Sequence, residues 1–122
     1  MDDLTDLIDR YIAVWNETDT AKRRALIART FTESTHFIDP LQEGSGQAGI
    51  DALVAGVQEK FPGCRFRRAG TVDAHHDRVR FRWELAPAGG EVFVDGTDFA
   101  TVADGRLASV TGFLDRMPSG AA

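Results

Sequence analysis

The chain has 122 residues, enough for one domain whose core needs neither disulfides nor a structural metal. With 43% hydrophobic and 27% charged residues it lies in the globular range, which excludes a disordered chain. Its net charge of −5 removes the general pull toward phosphate on which nucleic-acid binding leans, and its single cysteine, Cys64, excludes an internal disulfide.

The acidic start Met1-Asp2-Asp3 is unlike a signal peptide, and no apolar run reaches bilayer length. A soluble, cytoplasmic protein without membrane contact is expected. Residues 2–16 read as an amphipathic helix, because Leu4, Leu7, Ile8, Tyr11, Ile12 and Trp15 recur at helical spacing. Asp2 and Asp3 suit the positive end of that helix. Thr18, Asp19 and Thr20 offer the N-cap of a second helix through about Arg29, with Lys22, Arg23 and Arg24 as an exposed basic face. Thr32–Asp39 is rich in β-branched and aromatic residues and reads as a strand stopped by Pro40. Gly44, Ser45, Gly46 and Gly49 read as a flexible loop. A third helix follows, with Ile50, Leu53, Val54, Val57 and Phe61 on one face and Pro62-Gly63 as its stop.

Beyond Gly63 the period changes to two. Cys64–Asp73, Arg78–Ala86, Glu91–Ala103 and Arg106–Arg116 read as four strands. Their connections are short, and Asp104-Gly105 is a strong hairpin signal, so the strands form an antiparallel meander. The order is α-α-β-α-β-β-β-β within one domain over residues 1–118, followed by a short flexible tail over 119–122. Helices followed by a long antiparallel run predict an α+β domain with helices on one face of a curved sheet, and a ligand pocket in its concavity. Arg78, Arg80 and Arg82 alternate with Val79, Phe81, Trp83 and Leu85; apolar content assigns the arginines to the outer face, and the reverse assignment would put them in the pocket and favour an anionic substrate.

Three residues are candidates for chemistry. Tyr11, the only tyrosine, sits on the apolar stripe of the first helix. Asp39 closes the first strand on the face of Phe37, and Asp98 shares a face with Val94, Gly96 and Ala100. Each also has an ordinary structural use: a core tyrosine, a turn aspartate before proline, a strand aspartate paired with an arginine. His36 alternates away from Asp39. The His75-His76 pair falls in a turn without metal-ligand partners nearby. Cys64 reads as a buried, inert thiol.

Taken in order, Arg10-Tyr11 and Asn16, then Asp39-Pro40, then Asp98 ahead of Phe99, the chain resembles the ketosteroid isomerase and SnoaL-like polyketide cyclase branch of the nuclear transport factor 2 superfamily. The resemblance covers nearly the whole chain. It implies a cone-shaped, cystatin-like fold of three helices on a curved, mainly antiparallel sheet. It also implies proton abstraction beside a carbonyl, leading to isomerisation or aldol cyclisation. Asp39 would be the base, and Tyr11 and a protonated Asp98 would donate to the enolate oxygen. The expected ligand is a small apolar or carbonyl-containing molecule, bound without cofactor or metal in a pocket lined by Trp15, Phe37, Val57, Phe61, Phe81, Trp83 and Phe113. Isomerases of this kind support the oxyanion tyrosine with further tyrosines, and this chain has none to spare. Related domains pair through the outer face of the sheet, which implies a homodimer. The alternative is a non-catalytic ligand-binding or dimerising module of the same fold.

Overall fold

The structure, a computed structural model, describes residues 2–118. Residues 119–122, read above as a tail, lie outside the described residues, as do the side chains of Asp2 and Asp3. Two helices come first, α1 (Asp2–Asn16) and α2 (Thr20–Thr30), followed by strand β1 (Phe31–Ile38). A short strand β2 (Glu43–Ser45) leads into helix α3 (Gly46–Lys60). The meander is β3 (Cys64–His75), β4 (Arg78–Pro87), β5 (Val94–Ala103) and β6 (Arg106–Arg116). The six strands make one sheet in the order β2-β1-β6-β5-β4-β3. All neighbours are antiparallel except β1 and β6, which run parallel. The α+β architecture is the expected one, with a strand added.

That added strand is the segment read as a flexible glycine loop. Glu43–Ser45 doubles back on Ile38–His36 through a tight turn, so its backbone groups are paired. Three residues are too few to display a period of two in the sequence. β5 begins at Val94 rather than Glu91. Ahead of it the Phe93 N–H donates to the Leu85 carbonyl at 3.1 Å, and the Phe93 ring turns against Phe61 at 5.7 Å. In the β5–β6 hairpin both Asp104 (φ 53°) and Gly105 (φ 73°) adopt left-handed backbone, as a two-residue turn of this kind demands.

The core lies between the helices and the concave face of the sheet. Leu7, Ile8, Tyr11, Ile12 and Trp15 of α1 are buried against Phe31, Phe37, Val79, Phe81 and Val110. Two polar fastenings hold α1 in place over the sheet. The Asn16 amide donates to the Phe66 carbonyl and accepts from the Phe66 N–H, both at 2.8 Å, so it continues the strand-like pairing of β3. Gln58 donates to the carbonyls of Trp15 and Glu17 at the same helix end.

Arg23, expected on an exposed basic face, is buried instead. It reaches Asp51 at 2.6 Å, with Arg24 on the other carboxylate oxygen at 3.1 Å. A charge that close to the core persists because its counter-charge and the Glu17 carbonyl are there to meet it. Burial pushes the Asp51 carboxyl up, but the two arginines outweigh it and hold it below its usual range.

Arg78, Arg80 and Arg82 point out from the sheet. Arg80 pairs with Asp73, and on the same face Arg67 pairs with Glu84. His36 is also outward, bonded to Glu43 at 2.7 Å. Cys64 is half-buried at the start of β3 rather than enclosed, because β3 there pairs only with the end of β4. Among the described residues no helix is long and apolar enough to cross a membrane, and no group of His, Cys, Asp and Glu is placed to hold a metal ion.

Candidate functional site

Between α1, α3 and the sheet lies a pocket with about 80 Å³ of free space, open to solvent at one side. Six of the seven residues expected to line it do so: Trp15, Phe37, Val57, Phe61, Trp83 and Phe113. Phe113 contributes at the rim only. Its ring is half exposed and stands edge-on to Phe99, on the opposite side of β6 from Gly112. Phe81 does not line the pocket. It faces inward opposite Asp98, but Tyr11 covers it at a ring separation of 5.3 Å, so it is core. Phe66, Leu41, Gln42 and Met117 are among the further residues of the wall. Sequence reading missed them because Phe66 stands among exposed arginines and the others lie outside regular pattern.

Tyr11, Asp39 and Asp98 all reach this pocket, from α1, from the turn after β1 and from β5. The Tyr11 hydroxyl donates to Asp98 Oδ2 at 2.7 Å, and the Trp83 indole donates to Asp98 Oδ1 at 3.0 Å. Among the described residues no arginine meets Asp98, so the salt-bridge reading of a strand aspartate does not apply. Asp98 is 3% exposed, and burial pushes its carboxyl up to about 6. The bonds from Tyr11 and Trp83 pull it back down, and the charge of Asp39 pushes it up further. Burial and then the Asp98 carboxylate drive the Tyr11 hydroxyl well above its usual range, so it stays protonated.

Asp39 lines the pocket and also shapes the backbone beside it. Its Oδ1 accepts from the backbone N–H groups of Leu41 and Gln42, at 2.8 and 3.0 Å, and so builds the turn into β2. Its other oxygen has no hydrogen-bond partner among the described residues. One oxygen of the side chain thus holds the turn, while the other is left unbonded among the described residues.

Two glycines give these groups room. Gly112 lies between the two aspartates: a Cβ there would stand 2.9 Å from Asp98 Oδ1 and 3.2 Å from Asp39 Cβ. Gly96 is opposite Trp83, whose indole crosses it to reach Asp98. A Cβ at 96 would meet the Phe113 carbonyl oxygen at 2.5 Å and the Trp83 ring closer still. Gly96→Ala is therefore expected to cost ~1–3 kcal/mol and to break the Trp83–Asp98 bond. Urea denaturation followed by tryptophan emission tests this. Unchanged stability together with an unchanged emission maximum would show that Gly96 is not needed for space.

The domain model that matches the sequence is that of the SnoaL-like domain, over residues 8–110. Among solved structures, a proposed isomerase of the SnoaL-like family from Agrobacterium tumefaciens is 40% identical, with a TM-score of 0.90 over 94% of this chain and 99% of that one. A proposed SnoaL-like polyketide cyclase from Jannaschia sp. superposes with a TM-score of 0.68 at 22% identity, over 91% and 86% of the two chains. A proposed ketosteroid isomerase from Kribbella flavida gives 0.71 at 18% identity, over 97% and 82%. These last two are similar in fold alone. No curated protein matches the sequence significantly.

Proposed function

The chain belongs to the SnoaL-like family, and on that premise we propose that it is a small-molecule enzyme that removes a proton beside a carbonyl, as an isomerase or a cyclase. One observation carries the reading: two aspartates flank Gly112 in an apolar pocket, one with an unbonded oxygen and one buried among hydrogen-bond donors. Environments that treat two acids so differently are what a base and an acid require.

In this reading Asp39 takes the α-proton on its unbonded oxygen. The electron pair of the C–H bond moves into the carbonyl, and the negative charge collects on the ligand oxygen. Tyr11 and Asp98 answer that charge. When Asp98 holds a proton, the 2.7 Å contact can reverse its donor, so that Asp98 donates to Tyr11 and the Tyr11 hydrogen turns to the ligand. Asp39 then returns its proton at another carbon to complete an isomerisation. Alternatively, the enolate carbon bonds to a second carbonyl and the new alkoxide takes the proton.

Planar phenols of graded acidity test the site without knowledge of the substrate, because a phenolate mimics the enolate oxygen. Binding should respond to phenol acidity and weaken at least about tenfold in Tyr11→Phe. Phenols that do not bind, or that bind Tyr11→Phe and Asp98→Ala as well as the native chain, would remove the oxyanion site and favour a non-catalytic binding module.

We also propose that two copies pair through the outer face of the sheet. Support comes from Phe99 and Phe113, which are 43% and 51% exposed and pack on each other there, amid alternating charges. Phe99→Asp is expected to sediment as a monomer under conditions where the native chain is a dimer. A native chain that is itself monomeric at high concentration would end this proposal.

A further inference from the structure

Two indoles border the Tyr11–Asp98 pair, and among the described residues only one of them has an acceptor. Trp83 spends its N–H on Asp98. Trp15 is 6% exposed, lines the pocket, and its Nε1 is buried with no partner among the described residues. An indole N–H is a donor only, so a buried one without an acceptor is destabilising and calls for a reason. Trp15 lies four residues after Tyr11 on α1, on the same helix face, with its ring edge-on to the tyrosine at 6.3 Å. The rings of Phe37 and Phe66, at 5.5 and 5.6 Å, hold it from the other sides.

We infer that Trp15 is a positioning residue whose N–H closes on the Tyr11 hydroxyl oxygen as that oxygen gains negative character, so that two indoles, Trp83 on Asp98 and Trp15 on Tyr11, supply the support that a chain with one tyrosine cannot draw from others. The inference rests on the reading of this pocket as an oxyanion site. Tyr11 gives its hydrogen to Asp98, yet its oxygen keeps lone pairs open to a second donor. A donor that tightens only when charge develops is better placed for stabilising an anion than one already satisfied.

The chain has only two tryptophans, so indole ¹⁵N labelling gives two N–H resonances, assigned with Trp83→Phe. They are followed in the ligand-free protein as pH passes through the titration of Asp98. The groups facing Asp98 are Tyr11 from α1, Trp83 from β4 and Asp39 beyond β1, so the series is repeated in Asp39→Asn to remove the other carboxylate. Both resonances are expected to shift with one midpoint, Trp83 directly and Trp15 through Tyr11. In Tyr11→Phe the Trp15 shift is expected to be lost while that of Trp83 remains. A Trp15 resonance that is flat in the native chain, or that titrates unchanged in Tyr11→Phe, overturns the inference. Phenol binding that weakens in Tyr11→Phe while Trp15 stays silent sinks this inference and leaves the proposed function standing. A coupled Trp15 in a protein that binds no phenol sinks the proposed function instead.

Discussion

Asp39→Asn is expected to slow exchange of α-protons on a bound ketone by ~10²–10⁴-fold, the range that a positioned general base supplies. Exchange into heavy water, read by NMR on simple cyclic ketones, measures the step without the natural substrate. The substitution is well chosen because of how Asp39 is held. Its Oδ1 builds the turn by accepting from Leu41 and Gln42, and an amide oxygen can accept the same two bonds. What the amide cannot do is take a proton on the other atom. The variant should therefore keep native stability and lose exchange. Full exchange in the variant would eliminate Asp39 as the base, and loss of both exchange and stability would mean that the turn, not the proton, was at stake.

The second large effect has the opposite sign. Asp98→Asn is expected to stabilise the protein at neutral pH while impairing the site. The Asp98 carboxyl is raised from 3.8 to about 6 in the folded protein, chiefly by burial. A raised acid means that the folded state binds the proton more tightly than the unfolded state. Between pH 4 and 6 stability thus falls as pH rises, and above 6 the loss is complete. Two pH units correspond to roughly 3 kcal/mol, the upper limit of what an uncharged replacement could recover at pH 7. The amide can still accept from Trp83, and Tyr11 can reverse its hydroxyl to accept from the new N–H₂. Urea denaturation at pH 7 should show the gain, and at pH 4 the two proteins should come together. A gain of equal size at both pH values would mean that packing, not the buried charge, was responsible. Stability withheld at a buried acid is a common signature of a site that works.

Much of the fold could be read from the chain because it rests on period and punctuation. The α1 stripe, the Asp104-Gly105 turn and the alternation that turns Arg78, Arg80 and Arg82 outward are all local patterns. What escaped depends on partners distant in sequence. Arg23 lies within a basic run, and only the arrival of Asp51 from α3 draws it inward. Phe81 and Trp83 share one face of β4, yet register sets Phe81 against Asp98 beneath Tyr11 and leaves Trp83 opposite a glycine with room to reach across. The clue was present, since a tryptophan matched with Gly96 is a shape that implies something, but only the pairing reveals it. Tyr11, Asp39 and Asp98 could be named as candidates from the sequence. That one oxygen of Asp39 holds the turn and the other is left unbonded among the described residues is a matter of single atoms.

The carboxylate after β1 and the hydroxyl–carboxyl pair under α1 are anchored differently. Tyr11 and Asp98 are fixed by packed rings and by Trp83 deep in the domain, whereas Asp39 is fixed by its own next three residues, Pro40 to Gln42, at the rim. In the proposed reaction, a change in that tripeptide would move the group that takes the proton while leaving the group that receives the charge untouched. On that reading the pocket has one half set by the packed core and another set by a single surface turn, which is where substitutions would retune the base without disturbing the core.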